Sequence, residues 1–121
     1  MEAIKQYAPE YVLDNNGRVV ELKLENKQLD DAVFEQLSAL TALRALSLYG
    51  SSVPDAGLEK LQAVGQLQAV GLGATPITDK GLSHLAKLPQ LRWLWLNGHT
   101  GVTPTGVADL KQALPDLTVF E

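Results

Sequence analysis

The sequence contains no cysteine, which excludes a disulfide framework and any thiolate metal site. It has two histidines, His84 and His99, and neither has the close carboxylate or second-histidine spacing that a metal site or a general-base pair requires. Lysine and arginine number 10 against 14 aspartates and glutamates, giving a net charge of -4 and a pI near 5.1. The basic residues are scattered singly, so the cationic footprint that releases counterions from phosphates is missing. The same deficit argues against nucleic-acid and anionic-membrane partners. No apolar run approaches the ~18 residues of a membrane span. The opening MEAIKQYAPE has neither a basic n-region nor an apolar h-region and does not read as a signal peptide. If Met1 is the native start, the cytoplasm is the expected location.

What is present is a repeat. Leu43, Leu67 and Leu91 recur every 24 residues, and the same step backwards lands on Val19. A forward step of 26 lands on Leu117. Four units follow, residues 19–42, 43–66, 67–90 and 91–116, with a partial fifth at 117–121. Position 1 of each holds Val19, Leu43, Leu67, Leu91 and Leu117. Position 4 holds Leu22, Leu46, Val70, Leu94 and, on this count, Phe120. Position 6 holds Leu24, Leu48, Leu72 and Leu96. Position 11 is Leu29, Val53 and Ile77, with Val102 displaced by one inserted residue. In the second half of each unit apolar residues fall three apart, as in Phe34, Leu37 and Leu40. A switch from a period of two to a helical period predicts strand, turn, helix.

The units LQAVGLGATPI and ITDKGLSHLAKL make the chain resemble the leucine-rich repeat family, with Thr75 at the small-polar position. Within it they look like the cysteine-containing and ribonuclease-inhibitor-like subclasses, and closer still to short-period bacterial versions. The resemblance covers residues 19 to 121. It implies an α/β fold: a right-handed solenoid with a parallel sheet on its concave face and helices on its convex face. It also implies a scaffold for protein binding, although such repeats serve many partners.

The residues support that architecture independently. One strand–helix unit cannot bury its apolar face alone, so neighbours must stack. Ser51 and Thr75 are expected to turn inward and satisfy backbone groups in the bend. Asp30, Thr78 and Thr103 fall where helix N-caps belong, and Pro104 suits a first helical position. Gly57, Gly81 and Gly106 recur four residues past the position-11 site and are read as close-packing points between helix and strand. Residues 1–18 lie outside the repeat. EAIKQYA predicts a short helix, and YVLDNNGRVVELKL two strands around Asn15-Asn16-Gly17. Together they form an N-terminal cap. The last segment, LTVFE, is expected to supply a final strand whose edge is either uncovered or covered by another chain.

No catalytic constellation emerges. GLGATPITDKG looks superficially like a phosphate loop but lacks the GK[ST] ending, and the repeat explains each residue of it. Ser51, Ser52 and Asp55 form no triad with either histidine. Asp30 and Asp31 suit a helix start. His84, within a helical segment, is expected on the solvated surface, and His99 in the NGHTGVTPTG loop. No cofactor or metal is expected.

Attention therefore falls on positions 3, 5 and 7 of each strand, which must point away from the leucines. They are Glu21, Lys23, Glu25; Ala45, Ser47, Tyr49; Ala69, Gly71, Gly73; Trp93, Trp95, Asn97; and Val119, Glu121. The pattern predicts a groove with a charged end, an alanine–glycine floor and aromatic walls. Tyr49, Trp93 and Trp95 are the candidate anchors, Ala69, Gly71 and Gly73 the residues that leave room for a partner, and Asn97 borders them. Arg44 and Arg92 at position 2 either rim this face or are simply solvated. The opposing reading has Trp93 and Trp95 packed as a local plug over Val119. The function expected is a non-catalytic module binding a protein or peptide on this face. Two alternatives stand beside it. The indoles stack on a sugar or other flat ligand, or the chain is a solenoid fragment, monomeric or weakly self-associating, that docks through its C-terminal edge.

Overall fold

Short strands with one aliphatic residue at the centre set the architecture. The structure, a computed structural model, describes residues 2–7, 9–98 and 101–121. A short helix α1 (Glu2–Lys5) precedes a hairpin, β1 (Glu10–Leu13) and β2 (Val19–Lys23). Thereafter helices and strands alternate: α2 (Asp31–Ser38), β3 (Ala45–Ser47), α3 (Asp55–Lys60), β4 (Ala69–Gly71), α4 (Asp79–Leu85), β5 (Trp93–Trp95), α5 (Pro104–Ala113) and β6 (Thr118–Phe120). A 3-10 turn over Leu61–Ala63 extends α3. Among the described residues the strands form one six-stranded sheet in chain order, antiparallel between β1 and β2 and parallel from β2 onwards.

The register repeats with the sequence. Leu22, Leu46, Val70 and Leu94 are successive cross-strand partners, and all four are buried. Because side chains alternate along a strand, their neighbours face the other way. Helices α2 to α5 cover the leucine side with Phe34, Leu37, Leu58, Leu82, Leu85, Val107 and Leu110. Strand and helix residues merge into a single buried cluster extending from Ile4 in α1 to Leu117. The hairpin turn is held by Asp14, whose Oδ1 accepts the backbone N–H groups of Asn16 at 2.8 Å and Arg18 at 2.9 Å.

Position 8 of every full unit turns the chain out of its strand. Asn26, Gly50, Ala74 and Gly98 occupy it, with φ of 57°, 72°, 53° and 93°. This left-handed conformation is strained for residues bearing a Cβ, which explains two glycines and an asparagine there. In the second and third units the residue that follows, Ser51 or Thr75, then points inward. The Ser51 hydroxyl donates to the Leu24 carbonyl at 2.5 Å and accepts from the Lys27 N–H at 3.0 Å. The Thr75 hydroxyl donates to the Leu72 carbonyl at 2.6 Å. Both residues are buried, so these bonds satisfy polar groups that water does not reach.

The expected helix caps are in place. Asp30 accepts from the Val33 N–H, Thr78 from Lys80 and Thr103 from Gly106, with Pro104 first in α5. Gly57, Gly81 and Gly106, expected between helix and strand, instead lie between successive helices. A Cβ on Gly57 would stand 2.9 Å from the Phe34 ring of α2, one on Gly81 3.1 Å from Leu58 of α3, and one on Gly106 against the Asp79 carboxylate of α4. Near its N-terminus each of these helices lies close against the helix before it, so the side chain is excluded there.

Those first turns are also clasped across units. Asp55 accepts the Thr78 N–H at 2.9 Å and its hydroxyl at 2.6 Å; one unit on, Asp79 accepts the Thr103 N–H at 2.8 Å and its hydroxyl at 2.5 Å. The hydroxyl and N–H of Thr103 hold the Asp79 carboxyl below its ordinary value. Pro54, at the equivalent position of the second unit, has neither group to donate.

The last strand departs from the expected register. Leu94 pairs with Val119, and Trp95 with Phe120. Phe120 is therefore exposed on the open face, while Val119 packs against the core. Leu117 keeps its post-helix turn, donating to the Leu114 carbonyl as Leu91 does to Leu88. Yet Leu96 donates to the Phe120 carbonyl, the bond that Leu72 makes to Trp95. One position between turn and strand is missing, which shifts every later side chain by one.

Two outcomes test this account. Ala74→Gly is expected to raise stability, by up to about 1 kcal/mol, because it relieves a left-handed alanine, whereas Gly50→Ala lowers it; urea unfolding of both variants is the check. Asp79→Asn is expected to lower Tm at neutral pH. Since folding depresses this carboxyl, its contribution is present above the unfolded carboxylate pKa and is lost as pH falls through the folded one. The Tm gap between variant and parent should close in acid, and a gap independent of pH would contradict the clasp.

Candidate functional site

The face opposite the helices is assembled from positions 3, 5 and 7 of adjacent strands. Three cross-strand rows run over it. Glu21, Ala45, Ala69, Trp93 and Thr118 make the first, and Lys23, Ser47, Gly71, Trp95 and Phe120 the second. Glu25, Tyr49, Gly73 and Asn97 continue the same repeat at position 7. A depression of about 450 Å³ occupies the middle. Its floor is Ala45, Ser47, Ala69 and Gly71, with Leu22 and Leu46 beneath; Glu21, Lys23 and Glu25 bound one side, and Tyr49, Trp95 and Asn97 the other.

Six of the seven candidate residues, Tyr49, Ala69, Gly71, Gly73, Trp95 and Asn97, line this depression; Trp93 does not. Trp93 stands farther along β5, 41% exposed, beside Thr118. The role expected of Gly73 changes. It is buried, and a Cβ there would meet the Tyr49 ring at 2.9 Å and collide with the Asn97 carbonyl. Its missing side chain admits Tyr49 and Asn97 rather than leaving space for a ligand. Gly71 is closer to the expected floor, with the Ser47 hydroxyl 3.2 Å from where its Cβ would be.

Phe120 is the aromatic residue missed by sequence reasoning. Its ring stacks on Trp95 with centroids 5.1 Å apart and planes 12° from parallel. Tyr49, Trp93, Trp95 and Phe120 are 38%, 41%, 38% and 42% exposed. Trp95 is thus supported on one side by Phe120, not by Val119, and still presents surface to the depression. The signal for Phe120 lay in the ladder register, which a count from Leu117 does not reveal.

At the charged side, the Ser47 hydroxyl donates to Glu25 Oε2 at 2.6 Å. Among the described residues the lining holds no histidine, cysteine or arginine, and no group of three or more metal-ligating side chains comes together. His84 is not on the open surface as expected. It is half-buried on α4, its Nδ1 3.2 Å from Gln62 Nε2 of the preceding unit. His99 and Thr100, in the inserted loop, lie outside the described residues. Arg44 and Arg92 are exposed, away from the depression.

No protein-family model matches the chain, and no curated protein matches it. Among solved structures it is similar to an internalin, InlF, of Listeria monocytogenes. The identity is 20% and the TM-score 0.40, over 84% of this chain and 40% of that one. This chain therefore spans less than half the length of that protein.

Stacked rings contribute about 0.5–1.5 kcal/mol beyond the area they bury. Phe120→Ala is accordingly expected to cost about 1 kcal/mol, to diminish the near-UV circular dichroism of Trp95, and to increase iodide quenching of its fluorescence. Unchanged near-UV spectra would contradict the stack.

Proposed function

We propose that the chain is a non-catalytic interaction module: a right-handed leucine-rich-repeat solenoid that binds a protein or peptide partner on a concave sheet face. One observation carries the reading. Four aromatic side chains stand exposed on a single sheet face, beside a depression floored by alanine, serine and glycine. Large aromatics each offer roughly 150–250 Å² of surface, and such residues dominate binding hot spots. A soluble monomer rarely shows contiguous apolar patches beyond about 300–600 Å² unless they are used. Tyr49, Trp95 and Phe120 are also pre-ordered. Tyr49 is seated over Gly73 and the other two stack on each other, so little side-chain freedom is lost on binding.

A second reading has a specific observation behind it. Among the described strands β6 pairs with β5 alone, and Phe120 is exposed beside that edge. An unpaired edge is a template for another strand, so docking of a second copy or of further repeats through β6 is the alternative.

Affinity capture with the parent chain and a Tyr49→Ala/Trp95→Ala variant tests the first reading. A partner retained by the parent should be recovered at least about tenfold less well by the variant, the loss of one hot spot. Equal recovery by a variant of unchanged circular dichroism would rule the face out. Loss on blunting the β6 edge with a charge, Thr118→Lys, which keeps the backbone bond to Arg92, while the double variant binds normally would favour the edge.

A further inference from the structure

The open face is asymmetric in charge, and the asymmetry selects a class of partner. Resting on the interaction reading above, we propose that this face recognises an extended peptide segment of about four residues. The segment carries a lysine or arginine side chain at the β2 end and an apolar side chain against the Trp95–Phe120 stack.

Three observations lead there. First, the charged side chains lining the β2 end are Glu21, Glu25 and Lys23. Lys23 offsets one of these two carboxylates, and the lining adds no other cation. A cationic group entering over Ser47 meets Glu25, whose Oε2 is already oriented by the Ser47 hydroxyl, and reaches the Tyr49 ring beyond it. Carboxylate on one side and aromatic face on the other is the environment that holds guanidinium and ammonium groups. The chain's net charge of -4 reinforces the attraction at long range.

Second, the opposite wall is apolar and flat, with Trp95 braced by Phe120. β2 and β5 are three strand spacings apart, about 14 Å at ~4.8 Å each. Four extended residues, at about 3.4 Å each, cover that distance.

Third, β3 and β4 are hydrogen-bonded on both sides within the sheet. The floor therefore has no free backbone edge, and the segment must lie across the strands and be read through its side chains. The small floor residues Ala45, Ala69 and Gly71 admit its backbone.

Selection from a displayed library of random hexapeptides tests this with the full chain, a Glu21→Gln/Glu25→Gln variant and a Trp93→Ala/Trp95→Ala variant. Glutamine keeps the shape of Glu25 and still accepts the Ser47 hydroxyl, so the first variant changes charge alone. The parent should enrich peptides that combine Lys or Arg with an aromatic or aliphatic residue three or four positions away. A representative synthetic peptide should bind the glutamine variant at least tenfold more weakly and lose affinity as salt rises. Enrichment without basic residues, or equal affinity for the glutamine variant, overturns the cationic partner while leaving the face as a binding surface. If the tryptophan variant selects the same peptides as the parent, the face itself is not the site and both readings fall.

Discussion

A single alternation governs this protein. Parallel pairing holds three-residue strands in one register, so the aliphatic residue at the centre of each is committed to the helix side and its two neighbours to the other. The left-handed residue three positions past β2, β3, β4 and β5 ends the alternation after position 7. Once the chain has turned there, Ser51 and Thr75 point inward and close hydrogen bonds that a buried bend would otherwise leave open. The helices follow from the same repeat. Their first turns are brought close enough to exclude a Cβ at Gly57, Gly81 and Gly106, and the last two helix–helix junctions are locked by an aspartate that accepts two bonds from the next unit's threonine.

The features legible in the sequence are those that depend on period alone. The 24-residue step identified the buried aliphatics, the inward Ser51 and Thr75 and the caps Asp30, Thr78 and Thr103, because each is a local requirement repeated in place. The features that escaped depend on contacts between units. Phe120 was misassigned because the count from Leu117 follows the turn, whereas the ladder to β5 runs one residue out of step with it: Leu96 donates to Phe120 as Leu72 does to Trp95. Gly73 looked like empty space in a face pattern, yet Tyr49 and Asn97 of the neighbouring units fill it. Gly50 and Gly98 did carry a sequence signal, since they recur 24 residues from Asn26 and Ala74. That signal is weak when only two of four positions are glycine.

The open face is a by-product of this geometry. Position 5 passes from Lys23 through Ser47 and Gly71 to Trp95 and Phe120, a gradient from charge to small residues to aromatic surface across five strands. The fold does not require that gradient, because β-branched residues would serve a purely structural sheet better at Ala69 and Gly71. Tyr49 over Gly73 and Phe120 under Trp95 show large side chains arranged to remain outside the core and yet ordered. The proposed binding through such a surface would draw on apolar burial and charge pairing in a preformed depression.

Because the chain has no cysteine of its own, the alternation can be measured with single thiols. Native-state labelling rates of Val70→Cys, Trp93→Cys and Trp95→Cys address it most directly. The account predicts that the thiols at 93 and 95 react as exposed groups, in keeping with indoles 41% and 38% exposed, while the one at 70, where valine is 0% exposed, reacts only when the chain unfolds. A protected thiol at 95, or one at 70 that labels as fast as its neighbours on β5, would contradict it.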